Sequence, residues 1–205
     1  MKVLLVNGSP HEHGCTNRAL EEIKMQLSKD GVDAEIFWIG TKVQGCIACY
    51  ACKKTGKCIF NDQLTEFVEK AKQANGFIFG SPVYYSSAAG SITSFMDRLF
   101  FSAAQYLEYK PAATIVSCRR GGATETFAQL NMYYTINNMP VVSSQYWNQV
   151  HGLTPADVEQ DLEGLQTMRT LASNMAWLLK CIDSGKQNNI NRPIREEAIA
   201  TNFIR

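Results

Sequence analysis

Short apolar runs rich in β-branched residues alternate along this chain with longer segments in which apolar residues recur every three or four positions. The short runs are typical of buried strands, and the longer spacing is typical of amphipathic helices. Repeated strand–helix units form a parallel sheet, because the chain must cross back over the sheet before the next parallel strand begins. The alternation therefore predicts an α/β fold with helices on both faces of a parallel sheet.

The predicted sheet has five strands, each followed by a helix. The strands are predicted at residues 3–6, 34–39, 76–80, 112–117 and 141–144, and the first four helices at 16–29, 62–73, 90–101 and 124–137. The fifth helix has the clearest start, with Thr154 as N-cap, Pro155 at the first helical position and Asp157 at the third. Its apolar stripe runs to residue 182, and the polar segment 184–189 predicts a break. We expect one domain at residues 1–182 and a tail or arm at residues 183–205.

The charge balance and the apolar segments narrow the classes of function. Twenty basic and nineteen acidic residues leave a formal charge of +1, too small to supply the phosphate contacts of a nucleic-acid-binding protein. No apolar stretch has the length of a signal peptide core or a membrane span. Seven cysteines without an export signal favour a reducing compartment. We therefore expect a cytoplasmic protein that binds neither nucleic acid nor membrane.

The loop after the first strand, residues 7–17, contains glycines and hydroxyl side chains and opens directly into a helix. Backbone amides and the positive end of a helix bind anions, and Ser9, Thr16 and Asn17 add further donors. The loop has neither the Walker nor the GxGxxG pattern, so it predicts a phosphate site for a ligand other than a nucleoside triphosphate. The alternative is a helix start capped by Thr16 alone. Cys15 is either a thiol of lowered pKa or a packed side chain.

Two further loops follow the third and fourth predicted strands. Residues 81–87 are apolar and aromatic, so a planar ring could lie against them. The candidate ring contacts are Pro82, Val83, Tyr84 and Tyr85. The other loop has glycines that allow close approach of a ligand and arginines that supply fixed positive charge. Its candidates are Ser117, Cys118, Arg119, Arg120, Gly121 and Gly122. The alternative for the first of these loops is that its tyrosines belong to the core or to an interface. The alternative for the second is a solvated charged turn.

All three loops follow strands of a parallel sheet, so they converge on the edge where such sheets bind ligands. A phosphate loop, an aromatic loop and a cationic glycine-rich loop together describe a site for flavin mononucleotide (FMN). The phosphate would lie on the first loop and the isoalloxazine ring between the other two. The fold expected for such a site is a flavodoxin-like three-layer sandwich with strand order 2-1-3-4-5.

The segments NGSPHEHGCTN, GSPVYY and SCRRGG, in this order, resemble the flavodoxin-fold family of NAD(P)H-dependent FMN reductases over residues 1–182. The resemblance implies FMN as cofactor, NAD(P)H as co-substrate and a small-molecule electron acceptor. It places Ser9, Thr16 and Asn17 at the FMN phosphate, with His11 and Cys15 nearby. The second loop would face the ring and the third its polar edge. This chain departs from the usual phosphate loop, which has an arginine where His11 or Glu12 stands.

The same resemblance implies a homodimer or homotetramer with the flavin close to the subunit boundary. Four residues of this chain are candidates to contribute from a partner subunit: Tyr146, Trp147, Asn148 and His151. An aromatic core patch is the alternative interpretation of this segment.

Four cysteines, Cys46, Cys49, Cys52 and Cys58, lie within thirteen residues in the loop after the second predicted strand. Such a set suits a [4Fe–4S] cluster, and tetrahedral zinc would accept the same ligands. The spacing Cys-x2-Cys-x2-Cys-x5-Cys resembles the compact motif of the iron–sulfur flavoproteins, a branch of the same superfamily. A cluster, zinc and free thiols all remain open at this point.

Two functions of different classes follow, with a third as the alternative to both. The first is an FMN-dependent oxidoreductase that takes hydride from NAD(P)H and passes electrons to a quinone, a flavin or another small molecule. Since the flavin supplies the chemistry, no protein acid or base is nominated. The second is an iron–sulfur flavoprotein that carries electrons with ferredoxin. The third is a flavin-free protein whose cysteine loop is held by zinc.

Overall fold

The structure is a computed structural model that describes residues 1–201 and 203. Its sheet contains β1 (Lys2–Asn7), β2 (Asp33–Trp38), β3 (Gly76–Tyr84), β4 (Ser87–Ala88), β5 (Ala112–Cys118) and β6 (Gln149–His151). Five strands pair in parallel in the order β2-β1-β3-β5-β6, and β4 forms a short antiparallel hairpin with the end of β3. Apart from this hairpin strand, the predicted flavodoxin-like order is confirmed.

Seven α-helices surround the sheet in the described part of the chain. They are α1 (Cys15–Lys29), α2 (Ala51–Thr55), α3 (Gln63–Gln73), α4 (Gly90–Ala103), α5 (Ala123–Ile136), α6 (Pro155–Gln160) and α7 (Leu162–Gln187). Helices α3, α4 and α5 pack on one face, where Leu4 and Val6 of β1 lie. Helices α1 and α7 cover the other face, against Val3 and Leu5. Alternate residues of β1 therefore serve two cores, as the predicted three-layer sandwich requires.

The edge strand differs from the prediction. Residues 141–144 form only an isolated bridge between Val141 and Ala112, whereas β6 pairs with the end of β5 at residues 149–151. Val142 is buried, but Ser144 turns away and its hydroxyl donates to the carbonyl of Thr167 at 2.7 Å. The edge position is thus shared by two short segments. The apolar run at 141–144 marked only the first of them.

The last helix begins as predicted and then breaks. Thr154 accepts a hydrogen bond from the Asp157 amide, and the Asp157 carboxylate accepts from the Thr154 amide at 2.8 Å. The helix α6 ends at Gln160, because the Asp161 side chain accepts from the Gly164 amide at 2.9 Å and starts α7. Because the apolar stripe continues on both sides of the break, the sequence pattern does not reveal it.

Helix α7 also extends to Gln187, so the break predicted at residues 184–189 comes later than expected. Residues 190–201 have neither helix nor strand, in agreement with a tail, and Asn202, Ile204 and Arg205 lie outside the described residues. Among the described residues, no helix combines the length and the apolar character needed to cross a membrane.

Lys110 precedes β5, at the sheet edge opposite the strand carboxyl ends, and its Nζ donates to the Ala71 carbonyl at 2.8 Å. Burial, with a smaller contribution from the Lys186 charge, lowers the pKa of Lys110 from 10.5 to about 8. Below pH 8 the folded protein therefore bears the full cost of burying a charge. As pH rises from 8 towards 10.5, the unfolded chain holds this proton longer than the folded one, so the stability of the fold increases.

We expect wild-type protein to gain about 1–2 kcal/mol of stability relative to Lys110→Met over this pH range, after allowance for partial solvent screening. Denaturant unfolding at pH 7.5 and pH 10 measures the difference. Lys180→Met is the matched control, because Lys180 is exposed and its Nζ also donates to a backbone carbonyl, that of Asp30 at 2.7 Å. The same pH profile in the two variants would contradict this assignment.

Candidate functional site

The loop that leaves β1 and the carboxyl ends of β3 and β5 enclose a cleft of about 740 Å³ at the carboxyl edge of the sheet, closed on one side by the segment before α6. A cleft of this volume suits a cofactor-sized ligand. Its walls are Ser9 to Thr16, Pro82 to Tyr84, Ser117 to Arg119, and Gly152 to Pro155. The three segments selected from the sequence therefore meet at one site, but β3 runs to Tyr84, so Pro82 to Tyr84 belong to the strand and not to a loop after it.

The N-terminus of α1 opens into this cleft. Its N-cap is Gly14, and among the described residues no side chain caps the first turn. The amides of this turn lack helical partners, so together with the positive helix end they are suited to bind an anion. Thr16 does not cap the helix. It is buried inside the first turn, and its Oγ1 lies 2.8 Å from Ser117 Oγ, which connects the phosphate loop to β5.

The phosphate loop is held in place by two residues that the sequence reasoning did not select as site residues. Asn7 is fully buried; its Oδ1 accepts from the Ser9 amide at 3.0 Å and its Nδ2 donates to the Glu12 carbonyl at 2.9 Å. Trp38, the neighbour of Asn7 on β2, donates from Nε1 to the Ser9 carbonyl at 2.8 Å. The sequence offered one indication of this role, since Asn7 is a polar residue at the end of an apolar strand.

Two glycines let the phosphate loop pack directly on the sheet. The Gly8 amide donates to the Gly80 carbonyl at 2.9 Å. A Cβ at Gly8 would lie 2.7 Å from that carbonyl oxygen and 2.6 Å from Ile92 Cβ. A Cβ at Gly80 would lie 2.7 Å from Thr16 Cγ2. Both contacts are too short for any side chain, so the loop and the start of α1 lie against the bare backbone of β3.

The other candidate residues divide into those that line the cleft and those that do not. His11, Cys15, Pro82, Val83, Tyr84, Cys118 and Arg119 line it, together with Ser9, Thr16 and Ser117. Outside the lining are Asn17, Tyr85, Arg120, Gly121 and Gly122.

Local contacts explain why several candidates lie elsewhere. Asn17 donates from Nδ2 to Glu21 Oε1 at 2.8 Å within α1. Tyr85 is at the tip of the β3–β4 hairpin with φ 51° and is fully exposed. Gly122 has φ 86° and supports the site indirectly, because a Cβ there would lie 2.7 Å from Ser86 Cα. It allows the loop after β5 to pack against that hairpin.

The two cysteines in the cleft are packed thiols. Burial raises the pKa of Cys15, a hydrogen bond with backbone opposes this, and the Asp157 charge adds to it. The Cys15 thiol donates to the Gly152 carbonyl at 3.6 Å. Burial also raises the pKa of Cys118. Of the two alternatives for Cys15, the structure therefore supports the packed side chain, and a raised pKa does not favour either thiol as a nucleophile.

The four clustered cysteines line a second, small and mainly apolar cavity, together with Ile47, Tyr50, Ile59, Phe60, Arg98, Phe101 and Ser102. Ala48 and Tyr50 adopt positive φ angles of 52° and 56°, so the backbone turns sharply between the cysteines. Among the described residues, no three His, Cys, Asp or Glu side chains are arranged to hold a metal ion. The donor set nevertheless fits an iron–sulfur cluster or zinc, since all four thiols border one cavity.

Helix α4 contacts both sites. Near its start, the Ser91 hydroxyl donates to the Gly8 carbonyl at 2.9 Å, and further along Arg98 lines the cysteine cavity. At a rise of 1.5 Å per residue, these positions are about 10 Å apart along the helix. The cleft and the cavity share no lining residue. They are neighbouring but separate sites.

The comparison with known families matches residues 1–153 of this chain to the family described as NADPH-dependent FMN reductase. The chain belongs to this family. The match includes all three loops of the cleft and the cysteine segment. Membership in the FMN reductase family makes the protein a flavin-dependent oxidoreductase with FMN as its flavin.

Similar proteins agree with this family. An iron–sulfur flavoprotein of Methanocaldococcus jannaschii is 31% identical over 191 residues, which cover 89% of this chain and 99% of that protein. An iron–sulfur flavoprotein of Methanosarcina thermophila is 25% identical over 192 residues, 91% of this chain and 99% of that protein. Among solved structures, a flavodoxin from the domain Archaea aligns with TM-score 0.61 at 18% identity, covering 88% of this chain and 99% of that one. A flavone reductase aligns with TM-score 0.68 at 16% identity, covering 89% and 64%. These two structures support the fold.

The cleft fits FMN in the chemistry of its surfaces. The uncapped start of α1 and the Thr16–Ser117 pair suit a phosphate, and Pro82, Val83 and Tyr84 supply an apolar wall. Arg119 lines the same cleft and adds positive charge. Reasoning from sequence missed the fourth wall, Gly152 to Pro155, because the capping pattern there was read only as a helix start.

Proposed function

We propose that this FMN reductase family member oxidises NAD(P)H and reduces a small-molecule acceptor at the cleft. The proposal rests on one observation. At the carboxyl edge of the sheet, an uncapped helix start and an apolar, aromatic wall line the same cleft. FMN bound there would supply the redox chemistry, accepting hydride from a nicotinamide and passing electrons to the acceptor. An open ring face would admit quinones, free flavins and other small acceptors alike.

The residues of this chain bind and orient the cofactor. The amides of Cys15 and Thr16 and the Ser9 hydroxyl would hold the phosphate, whereas the Gly14 amide already donates to the His11 carbonyl at 3.3 Å. Because Asn7 and Trp38 already fix this loop, phosphate binding needs little rearrangement. Pro82 and Val83 would exclude water from one side of the ring, and Arg119 would favour negative charge near it.

The proposal includes a [4Fe–4S] cluster on Cys46, Cys49, Cys52 and Cys58. Apolar side chains border the cavity that these cysteines line, Cys46 and Cys49 are exposed to solvent, and Arg98 would offset part of the thiolate charge. Relatives that align over about nine tenths of this chain are named iron–sulfur flavoproteins. An electron carrier served by ferredoxin is the second candidate function, and the same cavity supports it.

A second copy of this chain is the proposed partner. Tyr146, Trp147 and Leu153 are 52%, 50% and 73% exposed, and Leu153 lines the cleft. Exposed aromatic and aliphatic side chains of this kind are common at subunit interfaces. A homodimer that covers them would close the open side of the cleft.

Anaerobic reduction tests the donor. Protein purified without oxygen is expected to be yellow-brown, and addition of NADH or NADPH should remove the flavin absorption band at a rate that a stopped-flow instrument can follow. A flavin spectrum that does not change with NADH or NADPH, but changes with reduced ferredoxin, would reject the reductase in favour of the electron carrier. Zinc in place of iron, with no bound flavin, would reject both functions.

A further inference from the structure

Arg98 of α4 is only 2% exposed, and among the described residues it is the only buried lysine or arginine. Its guanidinium forms a bidentate pair with Asp62, with Nη1 2.7 Å from Oδ2 and Nη2 2.9 Å from Oδ1. Burying a charge is costly unless it is paired and hydrogen-bonded. The pair with Asp62 offsets part of the cost of burying the charge. The other N–H groups of Arg98 bind elsewhere.

The other contacts of Arg98 all go to the cysteine segment. Nε donates to Cys58 Sγ at 3.3 Å, and Nη1 donates to the Gln44 carbonyl at 3.2 Å. The guanidinium also lies 5.0 Å from the centre of the Phe60 ring. Since Gln44 precedes the first clustered cysteine and Cys58 is the last, one side chain holds both ends of the segment against α4.

Asp62 is itself fixed. Its Oδ1 accepts from the Leu64 amide at 3.1 Å and caps the start of α3, so the carboxylate cannot follow a moving arginine. The pair therefore anchors the cysteine segment to two helices of the core. A lysine would not reproduce this arrangement, because it has no planar fork to bond three oxygens and a sulfur together.

We propose that Arg98 is the positioning residue of the metal centre: it closes the cysteine segment around its cavity and places a permanent positive charge against Cys58. This inference rests on the cluster in the proposed function. A positive charge and a hydrogen bond at a ligand sulfur favour the more negative, reduced state of a cluster. Without them, the cluster should be harder to reduce and its loop less well held.

Three variants separate these two effects. Arg98→Met removes the charge and all its hydrogen bonds, whereas Asp62→Asn keeps the charge and removes its fixed partner. Arg98→Lys keeps a charge without the fork. The matched control is Arg169→Met, which breaks an ion pair with Glu22 on the opposite face of the sheet.

The readouts are the reduction potential of the reconstituted cluster, from a redox titration followed by electron paramagnetic resonance, and hydrogen exchange of residues 44–60 in iron-free protein. In Arg98→Met the potential should become more negative, and exchange should rise about tenfold or more as the segment loses local stability. Asp62→Asn should raise exchange with a smaller shift in potential. Arg98→Lys should fall between wild type and Arg98→Met in exchange, and Arg169→Met should match wild type in both measurements.

The failures of the two proposals are distinguishable. Wild-type protein that takes up no iron on reconstitution would overturn the cluster of the proposed function, while exchange in the iron-free variants still decides whether Arg98 holds the segment. A wild-type cluster whose potential is unchanged in Arg98→Met would overturn the electrostatic role. Equal exchange in Arg98→Met and Arg169→Met would overturn the positioning role.

Discussion

Gly8→Ala should weaken FMN binding and lower the stability of the fold by about 1–3 kcal/mol, the usual cost of forcing a methyl group into a packed site. The new Cβ would lie 2.7 Å from the Gly80 carbonyl oxygen, a backbone atom that cannot move without disturbing β3. The loop must then lift from the sheet, which displaces the start of α1 from the cleft. We expect FMN affinity to fall at least tenfold, about 1.4 kcal/mol or more. Fluorescence titration of FMN into cofactor-free protein measures it.

Gly90→Ala is the control for this substitution. Gly90 begins α4, and a Cβ there would meet no atom within 4 Å. Since alanine is the better helix former, this variant should keep wild-type affinity and stability. If Gly8→Ala bound FMN as tightly as Gly90→Ala, the phosphate would have to lie elsewhere.

Cys49→Ser should leave a protein that is yellow but retains no cluster. A cluster with only three thiolates is exposed to exchange and oxidation, and serine is a poor ligand for iron. Iron and sulfide analysis after anaerobic purification should give wild-type protein close to full occupancy and the variant close to none. The FMN content should stay unchanged, because the cysteine cavity and the cleft share no lining residue.

Cys181→Ser controls for the general loss of a thiol, since Cys181 is an exposed cysteine of α7 away from the cysteine segment. It should bind iron as wild type does. Full iron content in Cys49→Ser would show that the fourth ligand comes from another residue, or that the clustered cysteines do not bind the metal.

Patterns that depend on neighbouring residues were readable from the sequence. The alternation of strand and helix patterns predicted the parallel sheet, and the sequence around Thr154 predicted the start of α6 with its capping box. The strand order came from the flavodoxin-like fold expected for a flavin site. The three loops were also found, since each directly follows a strand and all strand ends of a parallel sheet share an edge. These inferences needed only local periodicity and one general rule of topology.

Features that depend on tertiary contacts were missed. Asp161 interrupts the last helix although the apolar stripe continues past it, because a side chain that caps from within a helical pattern looks like any exposed acid. Arg98 stands in the middle of an apolar helix and reads as an exposed charge. Only the fold shows that Asp62, Cys58 and Gln44 meet it. Asn7 and Trp38 act through the backbone of the loop, which sequence patterns do not reveal.

The bonds from Asn7 and Trp38 to the phosphate loop have a practical consequence for handling this enzyme. Because these hydrogen bonds lie within the protein, the loop should keep its conformation after the flavin dissociates. Flavin stripped away by acid or high salt should consequently be restorable by simple mixing, at a speed limited by encounter and without a slow refolding phase.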